Sequence, residues 1–256
     1  MTAFGLFKGE RALVTGSASN IGRAIAEALA REGAHVVLAD VDEPRNAATL
    51  EAIATAGGSA ETVTTDLSGK EGWRGLALRL EGQRIDMLVH AAAPPRREVD
   101  HAKSVSEDVF DAMLNVNVRS GFLLARTMCD RMRASSVKGR ILFITSLHAE
   151  TPRNLPHYSA SKAGQTMLVK ELARAYGPHG IRVNALAPGA IPGGGFNAAA
   201  FDFSDKIAMG RLGNAEDLAG PALALLSDRF SRYVTGTTLV VDGGLALFNW
   251  ISPPTD

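Results

Sequence analysis

Residues 11–40 read RALVTGSASNIGRAIAEALAREGAHVVLAD, and this stretch decides the fold. Its first five residues form a short, largely apolar segment of the kind typical of a buried strand, and this segment runs directly into Gly16. Apolar residues then recur at helical spacing, at Ile21, Ala24, Ile25, Ala28 and Leu29. Gly33 follows that helix, and residues 35–40 (HVVLAD) read as the next strand. The stretch therefore predicts a strand, a Gly-rich turn, a helix and a second strand parallel to the first.

The same alternation continues along the chain and predicts five more strands. We expect strands at 60–65, 85–90, 140–145, 181–186 and 237–241, and helices at 43–56, 69–82, 105–134, 158–176 and 215–227. Seven strands separated by helices predict one α/β domain over residues 1–256, a doubly wound seven-stranded parallel sheet with helices on both faces. Ligands of such sheets bind at the carboxyl ends of the strands. The polar or turn residues predicted to converge there are Gly16, Asp40, Asp66, His90, Asn117, Ser146 and Pro188.

The overall composition argues against several classes of protein. The chain has 27 Lys and Arg against 27 Asp and Glu, and neither charge is gathered into a run. We therefore predict no nucleic-acid partner. No apolar stretch approaches the roughly 20 residues that span a bilayer, and no secretory signal opens the chain. These features predict a cytoplasmic protein without a membrane partner, in which the single Cys129 is a core residue.

The Gly-rich turn and the residues after the next two strands predict a dinucleotide site. Gly16 and Gly22 leave room for a pyrophosphate to approach backbone N–H groups at a helix N-terminus. Asp40, at the end of the second strand, is placed to accept hydrogen bonds from the adenosine ribose. Asp66 has two interpretations, which the sequence leaves open: it contacts the adenine, or it is the N-cap of the following helix.

Tyr158 and Lys162 lie four residues apart at the start of a predicted helix, so both project from one helix face. An ammonium held beside a phenol stabilises the phenolate, which is what a general acid/base at neutral pH requires. A hydroxyl at the end of the strand at 140–145 would polarise a substrate oxygen. Thr145 and Ser146 are both candidates, and alternation along the strand lets only one of them serve.

Several motifs occur in order along nearly the whole chain and resemble those of one family. They are Thr15-Gly16-x-x-x-Asn20-x-Gly22, Asp66-Leu67, Asn117, Ser146, Tyr158-x-x-x-Lys162, Arg182-Val183-Asn184, Pro188-Gly189 and Val241-Asp242-Gly243-Gly244. With them, the chain resembles a single-domain, Rossmann-like member of the short-chain dehydrogenase/reductase family. No ligand spacing surrounds His148 or His157, so no metal site is predicted.

The resemblance implies a catalytic tetrad and a set of cofactor contacts. Tyr158 would be the acid/base, Lys162 would bind the nicotinamide ribose, Ser146 would hold the substrate oxygen, and Asn117 would order a proton-relay water. The implied cofactor residues are Gly16, Ser19, Asn20, Ile21, Gly22, Asp40, Asp66, Leu67, Ala91, Ala92, Tyr158, Lys162, Pro188, Gly189 and Ile191. It also implies a homotetramer, with the small residues Ser159, Ala160, Ser161, Ala163 and Gly164 at a closely packed interface.

Three departures from the family pattern concern the cofactor side of the site. Asn20 replaces a Gly, which is tolerable because Asn adopts left-handed backbone more readily than most residues. Residues 90–93 (HAAA) replace a polar turn, and His90 is expected to substitute for it only in part. Gly193 replaces a hydroxyl residue. We predict that the segment from Gly193 to Phe201 is a mobile lid, with Phe196 or Phe201 facing the pocket.

These features together predict an oxidoreductase that moves a hydride between a nicotinamide and a secondary alcohol or ketone. NAD is expected in preference to NADP, because Asp40 would face the 2′-phosphate and neither Ser19 nor Val41 is basic. The polar loop before Tyr158 and the tail after Gly244 favour a polyol, sugar or other polar hydroxy compound. The alternatives are a 3-oxoacyl-thioester reductase and a dinucleotide-binding protein with little turnover.

Overall fold

The computed structural model of the protein describes residues 4–193 and 206–247. Its strands are β1 (Arg11–Thr15), β2 (His35–Asp40), β3 (Ser59–Thr64), β4 (Met87–His90), β5 (Arg140–Ile144), β6 (Arg182–Pro188) and β7 (Thr238–Val241). They form one sheet in the order β3-β2-β1-β4-β5-β6-β7, and every pairing is parallel. The predicted seven-stranded parallel sheet is confirmed.

Helices pack on both faces of this sheet. Successive residues of each strand point to opposite faces, so each face carries its own buried apolar cluster. Leu13 of β1 belongs to one buried apolar cluster, whereas Ala12 and Val14 belong to the other. The helices are α1 (Asn20–Arg31), α2 (Glu43–Thr55), α3 (Gly72–Arg79), α4 (Glu107–Leu114), α5 (Gly121–Ala134), α6 (Pro156–Tyr176), α7 (Ala219–Leu226) and the short α8 (Asp228–Ser231). Residues of α3, α5 and α6 pack in the first cluster, and residues of α1, α2 and α7 in the second.

The long helix predicted over 105–134 is interrupted. A six-residue π-helix, Asn115–Ser120, separates α4 from α5. Polar contacts hold this wider turn: Ser120 donates to the Leu67 carbonyl (2.8 Å), and Asn117 Nδ2 donates to Ser161 Oγ on α6 (2.9 Å). Hydrophobic periodicity does not report such contacts between distant parts of the chain. π-turns are frequently found at functional sites.

The sheet also defines where a ligand binds. The first strand has β2 on one side and β4 on the other, so the direction of winding reverses between β1 and β4. Loops after these two strands diverge at the carboxyl edge and leave a crevice, which is the usual ligand site of such sheets. In the described part of the chain, none of the helices has the length and apolar content that a bilayer crossing requires.

Candidate active site

One cavity of about 490 Å³ opens at the carboxyl edge of the sheet, around the point where the winding reverses. Every residue predicted to contact the cofactor lines it: Gly16, Ser19, Asn20, Ile21, Gly22, Asp40, Asp66, Leu67, Ala91, Ala92, Tyr158, Lys162, Pro188, Gly189 and Ile191. Ser146 lines it as well. Asn117 lies behind this lining, fully buried. The structure therefore brings the predicted site residues together.

The Gly-rich turn after β1 requires Gly at two positions for steric reasons and accommodates Asn at a third. Gly16 has a φ of 73°, and a Cβ there would lie 2.6 Å from the backbone nitrogen of Ala92. A Cβ on Gly22 would lie 1.9 Å from the Gly16 carbonyl oxygen. Asn20 has a φ of 51°, as the sequence predicts, and its side-chain amide donates to the Pro192 carbonyl at 3.0 Å. The turn therefore keeps its shape without the family's middle Gly.

Asp40 closes the adenosine side of the cavity. Its two carboxylate oxygens accept hydrogen bonds from the backbone nitrogens of Ala18 (2.9 Å) and Asp42 (3.0 Å). These bonds fix the carboxylate between the Gly-rich turn and the start of α2. The nearest basic side chain on α2, Arg45, forms an ion pair with Asp42.

Asp66 is an exposed residue of the cavity wall, and one of its two interpretations is wrong. Its carboxylate accepts from the backbone nitrogen of Ser68 at 2.8 Å, within the loop after β3. The next helix, α3, begins only at Gly72, and its N-cap position is Glu71. Asp66 is therefore not an N-cap, because the chain makes a further turn before the helix starts.

His90 connects three elements of the fold. The Thr15 hydroxyl lies 2.9 Å from its Nδ1, and its Nε2 lies 3.2 Å from the Val116 carbonyl oxygen in the π-helix. A carbonyl can only accept, so Nε2 carries the proton and Nδ1 accepts from Thr15. Burial, and then the charge of Lys162, lowers the pKa of His90 to about 3, which keeps the ring neutral. One buried imidazole therefore joins β1, β4 and the π-helix, and its being only a partial substitute for the family's polar turn stays a prediction.

Tyr158 and Lys162 lie in the first two turns of α6, both buried at the reactive end of the cavity. The Lys162 ammonium lies 5.7 Å from the centre of the Tyr158 ring and donates to the Ile144 carbonyl at 2.8 Å. Burial, with a smaller contribution from the Arg96 charge, lowers the pKa of Lys162 from 10.5 to about 7.

A further residue at this end of the cavity forms a hydrogen bond with the phenol of Tyr158. Arg96, in the loop after β4, donates from Nη1 to Tyr158 Oη at 2.9 Å, and its guanidinium carbon lies 5.0 Å from the ring centre. Arg96 belongs to none of the sequence motifs described above. Its contact with Tyr158 depends on the path of a loop, which no local pattern predicts.

The two candidate hydroxyls after β5 have different surroundings. Thr145 Oγ1 donates to the Leu186 carbonyl of β6 at 2.9 Å, which ties it to the sheet. Ser146 Oγ accepts from the backbone nitrogen of His148 at 3.2 Å. Accepting that bond leaves the hydroxyl proton of Ser146 for donation, so its surroundings suit a substrate contact better than those of Thr145.

Gln165 joins Lys162 to Asn117, a link that the motifs do not include. The Lys162 ammonium donates to Gln165 Oε1 at 3.0 Å, and Gln165 Nε2 donates to the backbone carbonyl of Asn117 at 2.9 Å. A fully buried side-chain amide thus spans from Lys162 to the backbone of Asn117, and the water that the resemblance places on Asn117 stays a prediction. Sequence could have indicated it, since Gln165 lies one turn beyond Lys162 on the same face.

Gly193 is the first residue of the predicted lid and the only one of its residues that the structure describes. It has a φ of 119°, and a Cβ there would lie 2.2 Å from Asn20 Nδ2, so close packing on Asn20 requires Gly. The rest of that predicted lid, with Phe196 and Phe201, lies outside the described residues.

The residues present fit a nicotinamide dinucleotide. A Gly turn at a helix N-terminus suits the pyrophosphate, the fixed Asp40 carboxylate suits a ribose diol, and Lys162 suits the second ribose. The cavity volume falls within the range of roughly 300–1,000 Å³ that is usual for cofactor sites. The described residues hold no group of three His, Cys, Asp or Glu side chains that could bind a metal.

A doubly wound sheet with such a cradle and a buried Tyr–Lys pair defines the class of dinucleotide-dependent oxidoreductases. A family model described as enoyl-(acyl carrier protein) reductase matches residues 16–246. Glucose 1-dehydrogenase 2 of Bacillus subtilis (strain 168) is 37% identical over 250 residues, which cover 94% of this chain and 96% of that protein.

Two solved structures are also similar to this chain over most of its length. A gluconate 5-dehydrogenase from Burkholderia cenocepacia J2315, in complex with NADP and tartrate, has a TM-score of 0.85 and 32% identity, covering 94% of this chain and 97% of that one. A 3-oxoacyl (acyl-carrier-protein) reductase from Agrobacterium tumefaciens C58 with NADP bound has a TM-score of 0.86 and 32% identity, covering 93% of this chain and 94% of that one. The chain belongs to the short-chain dehydrogenase/reductase family, and it is an NAD(P)-dependent enzyme acting on CH–OH groups.

Proposed function

We propose that this enzyme moves a hydride between NAD(H) and the carbinol carbon of a polar secondary alcohol, such as a polyol or sugar derivative. The buried Tyr158–Lys162 pair carries this proposal, because both side chains line the cavity that the Gly-rich turn also lines. The set proposed to be catalytic is Asn117, Ser146, Tyr158 and Lys162.

In the direction of oxidation, Ser146 and Tyr158 hold the carbinol oxygen, and the carbinol proton passes to Tyr158 Oη. The nearby cations Lys162 and Arg96 stabilise the phenolate that accepts this proton. Ser146 donates to the oxygen as it becomes a carbonyl. Asn117 holds the start of α6 through Ser161, and so keeps Tyr158 in place. The dinucleotide, when bound, accepts the hydride in oxidation and supplies it in reduction.

NAD is the proposed cofactor, although two of the related structures described above hold NADP. The support for NAD is Asp40, whose carboxylate is fixed by two backbone N–H groups at the adenosine side. A 2′-phosphate about 4 Å from this carboxylate would cost about 1 kcal/mol in bulk water and several in a half-buried site.

The polar character of the substrate rests on the residues near Tyr158. Arg96 bonds to its phenol, and the His148 ring lies 6.4 Å from its ring, edge-on. A site with these groups offers hydrogen bonds to substrate hydroxyls. The glucose and gluconate dehydrogenases among the relatives act on compounds of this kind.

A second candidate is reduction of a 3-oxoacyl thioester. The observation that favours it is the likeness to a 3-oxoacyl reductase at a TM-score of 0.86. A third candidate, dinucleotide binding with little turnover, came from the sequence departures at the turn; the described contacts of Asn20 and His90 argue against it.

One panel separates these candidates. Polyols, aldoses, hydroxy acids and acyl thioesters are assayed in both directions with NAD(H) and NADP(H). We expect turnover of polar alcohols, with kcat/KM higher for NAD than for NADP by one to three orders of magnitude. Turnover of acyl thioesters alone would support the second candidate, and a cofactor fluorescence change without any turnover would support the third.

We also propose a cytoplasmic homotetramer of single-domain subunits. Ala160, Ala163 and Met167 are exposed at helical spacing along α6 and form a small apolar stripe suited to close contact with another subunit. Ser161, expected at that interface, instead faces inward, because its hydroxyl bonds to Asn117 and to the Tyr158 carbonyl.

A further inference from the structure

We infer that Ser17, Asn46 and Thr49 form a positioning network for the dinucleotide. From α2, this network holds the Gly-rich turn and the end of β2, which carries Asp40, at one fixed separation. The motifs described above leave all three residues unspecified. The inference rests on the proposed function, since it takes the ligand of the cavity to be a nicotinamide dinucleotide.

The buried face of α2 is polar where the helix lies against the Gly-rich turn. Its buried residues are Asn46, Thr49 and Ile53, which recur at helical spacing, and Asn46 and Thr49 are 1% and 0% exposed. Burying an amide or a hydroxyl costs free energy unless the group is hydrogen-bonded, whereas apolar side chains pack without that cost. What the polar pair adds to this contact is therefore a set of directed bonds.

Two of these bonds join α2 to the Gly-rich turn. Ser17 Oγ donates to Asn46 Oδ1 at 2.8 Å, and Thr49 Oγ1 donates to the Ser17 carbonyl at 3.1 Å. Ser17 is fully buried and lies between Gly16 and Ala18, which both line the cavity. The side chain and the backbone of Ser17 are thus held from behind the surface that faces the ligand.

A third bond joins the same amide to β2. Asn46 Nδ2 donates to the carbonyl of Leu38, two residues before Asp40, at 3.0 Å. That carbonyl can only accept, so the bond fixes which end of the amide faces the strand and leaves Oδ1 for Ser17. On the cavity side, the Ala18 N–H donates to the Asp40 carboxylate at 2.9 Å. The turn and the end of β2 are therefore joined twice, at Asp40 and again behind it.

This double connection bears on binding because one ligand spans both parts. The turn suits the pyrophosphate, and the Asp40 carboxylate suits the ribose next to it. A ligand that needs both groups binds more tightly when they are already in place, since less freedom is lost on binding. Ser17, Asn46 and Thr49 are not among the described residues that line the cavity, so they act through the turn and are positioning residues.

Thr49 allows a matched pair of substitutions. Thr49→Val removes the hydroxyl and keeps nearly the same shape, whereas Thr49→Ser keeps the hydroxyl. The probes are NADH, titrated by fluorescence, and ADP-ribose, the dinucleotide without its nicotinamide, titrated by calorimetry. We expect Thr49→Val and Ser17→Ala to raise both dissociation constants about 3- to 20-fold, and Thr49→Ser to stay within about twofold of the wild type. Thr127→Val removes a hydroxyl that bonds within α5, and it should change neither constant.

Steady-state kinetics separates positioning from a general loss of structure. With the best alcohol of the panel, KM for NAD should rise about 3- to 20-fold in Ser17→Ala and Thr49→Val, while KM for the alcohol and kcat stay within about twofold. A network that only attaches α2 to the sheet would lower the urea midpoint of these variants and leave the cofactor constants of the folded protein unchanged.

Each outcome decides on the network, on the proposed function or on both. Dissociation constants unchanged in Ser17→Ala and Thr49→Val, or raised equally by Thr49→Ser or Thr127→Val, would overturn the network and leave the proposed function standing. Weaker NADH binding in the two variants, with no alcohol turned over by the wild type, would overturn the proposed function and support the network. A wild type that does not bind NADH would overturn both.

Discussion

Asp40 is the residue on which cofactor choice depends. Its carboxylate stays in place because two backbone N–H groups hold it, so it cannot turn away from a 2′-phosphate without losing both bonds. Asp40→Ala removes the repulsion, and we expect kcat/KM with NADP to rise toward that with NAD, erasing most of the one to three orders of magnitude between them. Steady-state kinetics with both cofactors measures this. Glu43→Ala, at an exposed carboxylate that begins α2 and does not line the cavity, is the matched control and should leave most of the gap. Equal use of both cofactors by the unmodified enzyme would contradict the role given to Asp40.

Lys162 makes the stability of the free enzyme depend on pH. Its pKa is lowered to about 7, chiefly by burial, so between pH 7 and 10 the unfolded chain binds one more proton there than the folded chain does. The free energy of unfolding contributed by this residue must therefore rise with pH across that window and be lowest below pH 7. In urea titrations, we expect the unfolding free energy of the wild type minus that of Lys162→Met to increase from pH 7 to pH 10. Lys170→Met, on the exposed side of α6, accounts for the general effect of removing a lysine.

Gln165 allows a second test of the pH dependence that Lys162 causes. Its Oε1 accepts from the Lys162 ammonium, so Gln165→Met removes a bond that favours the charged form. The rise in stability with pH should then begin at a lower pH than in the wild type. An onset that does not move would mean that Gln165 has no influence on Lys162.

At the scale of secondary-structure elements, His90 joins β1, β4 and the π-helix. His90→Leu leaves the Thr15 hydroxyl and the Val116 carbonyl without this partner in a buried region, and we expect a loss of roughly 2–4 kcal/mol in unfolding free energy. Urea unfolding measures it. His35→Leu is the control, because the His35–Ser59 contact is exposed and its loss should cost less than about 1 kcal/mol. Equal losses in the two variants would show that His90 is not a structural link.

Some features of the fold and the site follow from local sequence patterns, and others do not. The Gly-rich turn and the Tyr–Lys spacing follow local patterns, so both the βαβ unit and the set of cavity residues could be predicted. The π-helix, the Arg96–Tyr158 bond and the Gln165 bridge join residues far apart in the sequence, and a periodic pattern carries no signal for them. The two partners of His90, Thr15 and Val116, are likewise brought near only by the fold, so the sequence does not indicate these contacts.

At the scale of the whole molecule, we expect the proposed tetramer to depend on the exposed stripe of α6. Met167 is 54% exposed in the subunit, and Met167→Glu would place a charge in the middle of an apolar contact. Light scattering should show a tetramer for the wild type and smaller species for this variant. Leu78→Glu makes the same change at a residue of α3 that is 58% exposed, and it should keep the wild-type mass. A monomeric wild type would contradict the proposed assembly.

The central claim is that Tyr158 exchanges the proton of the reacting alcohol in a cavity that also binds the dinucleotide. The most direct test is the turnover of Tyr158→Phe with the best substrate of the panel, together with its dissociation constant for NADH measured by fluorescence. We predict that the rate falls by at least about a hundredfold, the low end of what general acid/base catalysis contributes, while the dissociation constant stays within a few-fold. A variant that keeps more than about a hundredth of the wild-type rate would show that another group transfers the proton.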